Sequence, residues 1–470
     1  MLQAFANIFR IRDLRNKVFF TLGVLVIYRI GFWIPLLGVD QTELAKAASR
    51  ASVDQSGFGR LLEYASIFSG GSLQQSTIFG LGIMPYITAS IIFQLLQAVV
   101  PSLQELKKDG MSGQQKIMEW TRYATVGLCL LQGLMWLGFL RTQNLVQPQF
   151  QLGGGLVIFY VSGISALTAG SLFLMWLGEQ VDKYGIGNGV SIILTAGILS
   201  RMPSAATWLI KNFDASLQGG DAKIGVVGLL ILLAGFLFVV GGAIIITVAQ
   251  RRIPIQQAKH TRGRKVFGGQ RHYLPLRINH AGVMPIIFSS TLMMFPASGC
   301  AWLASRAAAV DASSTWSSIT SFIAQNLQIG SYPYVVIEIL LIYFFSYFWT
   351  TVQLSPTDMS KQLREHGSFI PGLRPGPRTA EYLETVISRI TYVGAGALAL
   401  IAIIPTIVSQ QLGIPFFVAQ FLGGTGLLIV VSVALDLVQR IEANLLMRNY
   451  SGFLTTGTND SGPRIRSARG

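Results

Sequence analysis

The chain has 470 residues, of which 51% are hydrophobic and only 12% charged, and it carries a formal net charge of +15. A soluble domain holds roughly twice that share of charged residues. With a mean hydropathy of +0.52 and apolar runs recurring along its length, the chain is neither a soluble enzyme nor a disordered tail nor a coiled coil; it reads as a multi-spanning membrane protein.

Stretches of roughly 17 to 25 mostly apolar residues mark candidate spans. The first, 18–37, follows Arg10, Arg12, Arg15 and Lys17 without a small-residue cleavage site, so it reads as a retained span rather than a signal peptide. Further spans fall at 76–100, 123–140 and 156–177, with a weaker one at 188–210. A polar, glycine-rich seam at 211–223 (KNFDASLQGGDAK) reads as a hinge. The second series runs 226–249, 283–304, 334–354, 392–408 and 416–437. The expected organisation is an N-terminal half at 1–210, the hinge, a C-terminal half at 224–440, and a tail at 441–470.

Ten spans put both termini on one side of the membrane. The distribution of Lys and Arg says which side, because basic loops resist translocation. Of the 36 such residues, 27 fall on the segments sharing a side with the termini and 8 on the opposite loops, with Arg29 inside a span. Both termini are therefore expected in the cytoplasm. Five spans in each half give the halves opposite orientations, the arithmetic of an inverted repeat.

Little in the chain suggests catalysis. There is no G-x-x-x-x-G-K-[ST] and no H-E-x-x-H, and the histidines at 260, 272, 280 and 366 are scattered. No metal or cofactor is expected. Cys129 and Cys300 lie in apolar runs and read as buried small hydrophobes, not as a disulfide. The glycines of GIGNG (Gly185, Gly187, Gly189) lack the strand and acidic partner of a nucleotide site and read as a loop entering a helix. Sequons at Asn449 and Asn459 fall in the tail and should be unused. Arg29, Glu338 and Asp436 are the ionisable groups placed deepest in spans. They read either as a proton or ion relay or as paired, water-facing or snorkelling side chains.

The first external loop holds FGRLLEYASIF (58–68), with Leu61, Leu62, Ala65 and Phe68 at helical spacing. It is too short to span, and SGGS breaks it, so it suits a half-helix dipping back into the protein. Two large cytoplasmic loops, 250–281 and 355–391, are basic and carry Pro and Gly turns. Eight basic residues in the first exceed what topology needs, so a docking surface for anionic lipid or a large partner is expected.

Three long segments, FSGGSLQQSTIFGLGIMPYITASIIFQLL (68–96), MWLGEQVDKYGIGNGVSI (175–192) and GSFIPGLRPG (367–376), closely resemble the SecY/Sec61-alpha family of protein-conducting channels. Smaller agreements run from YRIG (28–31) to GGTGLLIVV (423–431), so the resemblance covers nearly the whole chain in order. It implies an all-α polytopic membrane fold with ten transmembrane helices in two inverted five-helix halves, around an hourglass pore that opens across the membrane and sideways into lipid. By the same resemblance, 58–68 is the re-entrant plug half-helix. The constriction ring falls on Ile83, Ile87, Val190, Leu194, Ile287 and Ile429. Val190 and Leu194 depart mildly from the isoleucine frequent in relatives. The lateral gate, between the second and third spans on one side and the seventh and eighth on the other, takes in Thr88, Gln94 and Asn279. Polar groups there are expected to bond weakly between helices.

The resemblance also implies partners. Arg374 matches the family arginine tied to the motor ATPase SecA. Arg251, Arg252, Lys259, Arg262, Arg264 and Lys265 resemble the loop that contacts SecA or ribosomal RNA, the latter through phosphates. A SecE subunit should brace the halves, a SecG-like subunit is a further expected partner, and signal sequences, unfolded polypeptide and membrane lipid are the expected clients and surroundings. His280 matches no family feature and is given no role. The expected function is a passive gated conduit for secretory and nascent membrane proteins in the bacterial inner membrane. An inverted-repeat secondary transporter is the alternative; an insertase without a pore and an intramembrane protease are weaker rivals, the last lacking a nucleophile and base on facing spans.

Overall fold

The path of the first crossing is decided by glycine and proline. In this computed structural model, which describes residues 12–44, 76–142, 145–151, 153–214, 224–257, 260–262, 265–267, 271–310, 315–328, 330–412, 414, 418–419 and 424–455, helix α1 (Arg12–Gly31) begins ahead of the apolar run and ends at Gly31. A side chain on Gly31 would collide with the Phe79 ring. The chain then runs extended past Pro35, bridging to Thr77 and, through Val39, to Val146.

Those bridges explain why the second span is not helical throughout. Residues 76–83 form turns, with positive φ at Ser76 and Gly82. Helix α2 (Met84–Val99) starts only where Pro85 stands in its first turn. Its 16 residues rise roughly 24 Å, so the turn-rich lead-in completes the crossing. Helices α3 (Pro101–Lys108), α4 (Met111–Thr142) and α5 (Gly154–Tyr184) follow. The weak fifth span is a broken one: α6 (Gly189–Leu199) and α7 (Met202–Lys211) meet at Ser200 and Arg201, with Pro203 at the start of α7.

The second half opens with α8 (Val226–Val248). The basic loop after it is folded, a departure from an all-helical reading. Strand β1 (Gln250–Gln257) pairs antiparallel with β4 (Arg271–Arg277), and between them β2 (His260–Arg262) pairs with β3 (Lys265–Phe267). Then come α9 (Met284–Val310), α10 (Thr315–Asn326), α11 (Tyr332–Gln353), α12 (Pro356–Glu365), strand β5 (Ser368–Phe369), α13 (Pro377–Leu412) and α14 (Thr425–Thr455). Among the described residues, six helical stretches are long and apolar enough to cross a membrane: α4, α5, α6 with α7, α8, α11 and α13. The other four expected spans lie on α1, α2, α9 and α14.

Each half owns a core. In the first, Leu36, Val39, Trp136, Leu137, Leu140, Phe159 and Leu167 pack together. In the second, Val239, Ala243, Ile286, Ile342, Leu398 and Leu428 do so. A third cluster joins residues of both halves, from Val24 and Tyr28 to Phe345 and Ile429. At the expected hinge, Asp214 N–H donates to the Ile224 carbonyl (3.0 Å) and Ile224 N–H to the Asn212 carbonyl (2.9 Å), so its ends are tied together. Residues 215–223 lie outside the described ones. Both cysteines are free.

Helix α6 enters as GIGNG suggests. The Asn188 side-chain oxygen accepts from Ser191 N–H (3.0 Å), Asp182 Oδ1 accepts from Gly189 N–H (2.8 Å), and Gly187 adopts φ of 94°. Gly189 presses on α5: a Cβ there would collide with the Gly178 backbone. Backbone cannot swing aside as a side chain can. Gly189→Ala should therefore cost about 1–3 kcal/mol, measured as a lowered thermal midpoint in detergent micelles, through the overpacking it forces. Gly178→Ala, whose Cβ would sit 3.5 Å from the Val190 nitrogen, should cost less.

Candidate functional site

Four helices bring the six expected constriction residues to one place. Ile83 caps α2 and Ile87 lies one turn in; Val190 and Leu194 share a face of α6; Ile287 begins α9 and Ile429 begins α14. All belong to the apolar cluster that joins the halves, five of them between 1% exposed (Ile429) and 7% (Ile87), with Val190 half-buried against them. Ile83, Ile87, Val190, Ile287 and Ile429 lie at or close to the starts of their helices, and Leu194 midway along α6. Direct packing between the halves includes α6 against α14, and Gly187 leaves room for Leu437 there.

Six branched apolar side chains offer an ion no ligand to replace its hydration shell. No group of His, Cys, Asp or Glu able to hold a metal occurs among the described residues.

The three expected gate residues do not bond across the seam. Thr88 Oγ1 donates to the Met84 carbonyl (3.0 Å), Gln94 Nε2 to Ser90 Oγ (3.2 Å) and Asn279 Nδ2 to the Gly282 carbonyl (2.8 Å). The expectation of interhelical partners is corrected: a helical hydroxyl finds the carbonyl one turn back more cheaply than one on another helix. Gln94 Oε1 is buried with no partner among the described residues. The plug residues Leu61, Leu62, Ala65 and Phe68 lie outside the described residues.

The two basic loops form one unit. Strand β5 adds to the edge of β1, Gln256 opposite Phe369 and Gln257 opposite Ser368. Beneath the sheet, Ile253, Leu276, Ile370, Leu383, Val386 and Ile387 make their own core. Arg251 and Arg252 are exposed on β1, Arg262 stands opposite Lys265 in the β2–β3 pair, and Lys259 and Arg264 lie outside the described residues. Arg374 is exposed on the FIPGLRPG turn, whose backbone is held where Thr379 Oγ1 donates to the Arg374 carbonyl and Ser360 Oγ to that of Gly376, both 2.8 Å. Gly372 and Gly376 take positive φ. The sequence signal for this sheet was the alternation of Ile253 and Ile255 with polar neighbours, which a reading by charge alone passes over.

The SecY family model matches residues 77–438. A protein translocase subunit SecY of Streptomyces galbus is 43% identical over 464 residues, covering 97% of this chain and all of that protein. Among solved structures, a SecY whose plug domain is described as stabilising the closed state of the translocation channel aligns with TM-score 0.55 at 17% identity, over 91% of this chain and 92% of that one. Sec61 from the canine ribosome–channel complex aligns with TM-score 0.53 at 15% identity over the same shares. The chain belongs to the SecY family.

As a SecY-family member it is a membrane-embedded translocase subunit with the channel fold, not an enzyme. Nothing in the family match supports the transporter alternative. The three deep ionisable residues do not assemble into a relay among the described residues. Asp436 pairs with Arg440 on its own helix at 2.8 Å, both about half exposed, and Arg29 sits over the Phe32 ring at 5.6 Å. Glu338 is 6% exposed, its helix tied to α9 where Ser289 Oγ donates to the Glu338 carbonyl at 3.1 Å. A charge at such depth costs roughly 2.5–3.5 kcal/mol on insertion scales. Glu338→Gln should therefore keep or raise the thermal midpoint, while Glu338→Lys, which puts a longer charged side chain into the same buried space, should lower it, both read by unfolding in micelles.

Proposed function

We propose that this SecY-family chain passes unfolded secretory proteins across the bacterial inner membrane through the ring of Ile83, Ile87, Val190, Leu194, Ile287 and Ile429, and releases membrane segments sideways between α2 and α9. The observation that carries this is the convergence of those six apolar side chains, from four helices of both halves, into one buried cluster. A closed ring costs little in lipid, where apolar contact drives nothing. Opened to water, it exposes apolar surface at roughly 25 cal/mol per Å². A passing polypeptide covers that surface again without a specific bond, which suits a conduit that must accept any sequence.

The plug is assigned to 58–68 by family resemblance. A gate without cross-seam bonds among Thr88, Gln94 and Asn279 would part for an inserting signal sequence at little cost. The basic sheet unit, with Arg251, Arg252 and Arg374 on one folded platform, suits docking of SecA or of ribosomal RNA; Lys259, Arg262, Arg264 and Lys265 extend the same loop. SecE and a SecG-like subunit are the remaining partners. Both termini and this platform face the cytoplasm in this reading, as the Lys and Arg distribution requires.

A photo-crosslinker at Ile87, in membranes carrying a stalled secretory precursor, should capture the precursor, while one at Phe139, packed beside Trp136 in the first half's own core, should not. Capture at neither site with the precursor engaged would remove the conduit reading. Arg374→Glu should cut motor-driven export at least about tenfold, as expected for loss of a charge-directed contact, with the thermal midpoint unchanged; export at the parental rate would remove the docking role.

A further inference from the structure

Between the seventh and eighth crossings the chain forms α10, a helix of twelve residues that is too short to span and contains no charged residue. It has three distinct sides. Ser317 and Thr320 are buried, on the side packed against α9. Ser318 and Gln325, seven residues apart, are exposed and polar. On the third side Ile319, Phe322 and Ile323 stand 48%, 67% and 41% exposed, with Trp316 at the same edge 63% exposed. Large apolar side chains at positions 316, 319, 322 and 323 form one continuous stripe at helical spacing.

From this arrangement we infer that α10 lies in the bilayer interface, its Ile319–Phe322–Ile323 stripe seated in lipid at the boundary between headgroups and acyl chains. A helix covered by a partner protein needs only an apolar side; one lying at an interface needs an apolar side and a wet side at once, and α10 has both besides the side that holds it to the chain. Its polar groups are prepared for a medium short of water. Thr320 Oγ1 donates to the Trp316 carbonyl (2.9 Å), Ser321 Oγ to that of Ser318 (2.9 Å) and Asn326 Nδ2 to that of Phe322 (2.9 Å), while Ser331 Oγ donates to the carbonyls of Asn326 and Gln328 at the helix end. The helices packed against α10 likewise present exposed apolar side chains, as surfaces facing lipid do. Leu303 on α9 and Leu340 and Phe344 on α11 are exposed, and Tyr332, 83% exposed at the head of α11, has the position of an interfacial aromatic. The absence of Lys and Arg from α10 puts the attraction in the acyl boundary rather than in anionic headgroups. Lipid thereby holds the far end of α9, the helix whose near end carries Ile287.

The inference rests on the family's membrane setting and not on the ring or the plug. Its test uses the full chain in vesicles of phosphatidylcholine and phosphatidylglycerol, in a Cys129→Ala, Cys300→Ala background. An environment-sensitive fluorophore is attached to Ile323→Cys, Ser318→Cys or Leu340→Cys in turn, Ile323 and Ser318 standing on well-separated sides of the helix. The Leu340 probe, on a spanning helix, defines inserted protein, and the others are read in preparations where brominated lipid quenches it. The Ile323 probe should lose about half its fluorescence or more to brominated lipid and resist aqueous iodide, and the Ser318 probe should do the reverse, as a helix lying in the interface requires. Iodide quenching at Ile323 equal to that at Ser318 would put the stripe in water and overturn the inference. Shielding of Ile323 from both quenchers would mean that protein, such as a second copy of the chain, covers it, and would overturn it equally.

Discussion

Two helical halves, each with its own core, meet through a mostly aliphatic and aromatic cluster, and the rest of the molecule is arranged around that contact. In lipid, helices gain nothing from hiding apolar surface, so the halves are held by close packing and by the few polar ties at their edges. In the proposed conduit the cluster must nevertheless be tight, because a gap wide enough for water would also pass ions. Branched side chains suit that demand, since they fill space in few rotamers.

The polar groups near the seam show the same economy. Thr88, Gln94 and Asn279 spend their hydrogen bonds within their own segments, so parting α2 from α9 breaks none of those three bonds. By contrast, Gly189 on Gly178 and Gly170 on the Ile78 carbonyl are backbone contacts without side-chain slack, both inside the first half.

Much of this was legible in the sequence. Ten apolar stretches mark the crossings because a bilayer demands length and apolarity before anything else, and GIGNG reads correctly as a helix entry because Asn followed three residues later by Ser is cap chemistry. What the apolar pattern could not reveal was where helices stop. The turns at 76–83 and the break at Ser200 lie inside apolar runs, and only Gly82, Pro85 and Pro203 hint at them. The sheet joining 250–277 to 368–369 was missed for a different reason. Its strands are short, basic and far apart in the chain, so charge dominates the local signal and pairing is a tertiary fact. The expected gate residues follow from family resemblance, but their bonds could not be read that way, because intrahelical and interhelical partners compete on geometry that spacing alone does not settle.

The backbone ties between Asn212, Asp214 and Ile224 have a further consequence. They pin the chain where it leaves one half, at Asn212 and Asp214, to where it enters the other, at Ile224. Neither bond uses a side chain. Substitutions at these three positions, proline aside, therefore leave that junction tied, and the register between the two points is a property of the backbone alone.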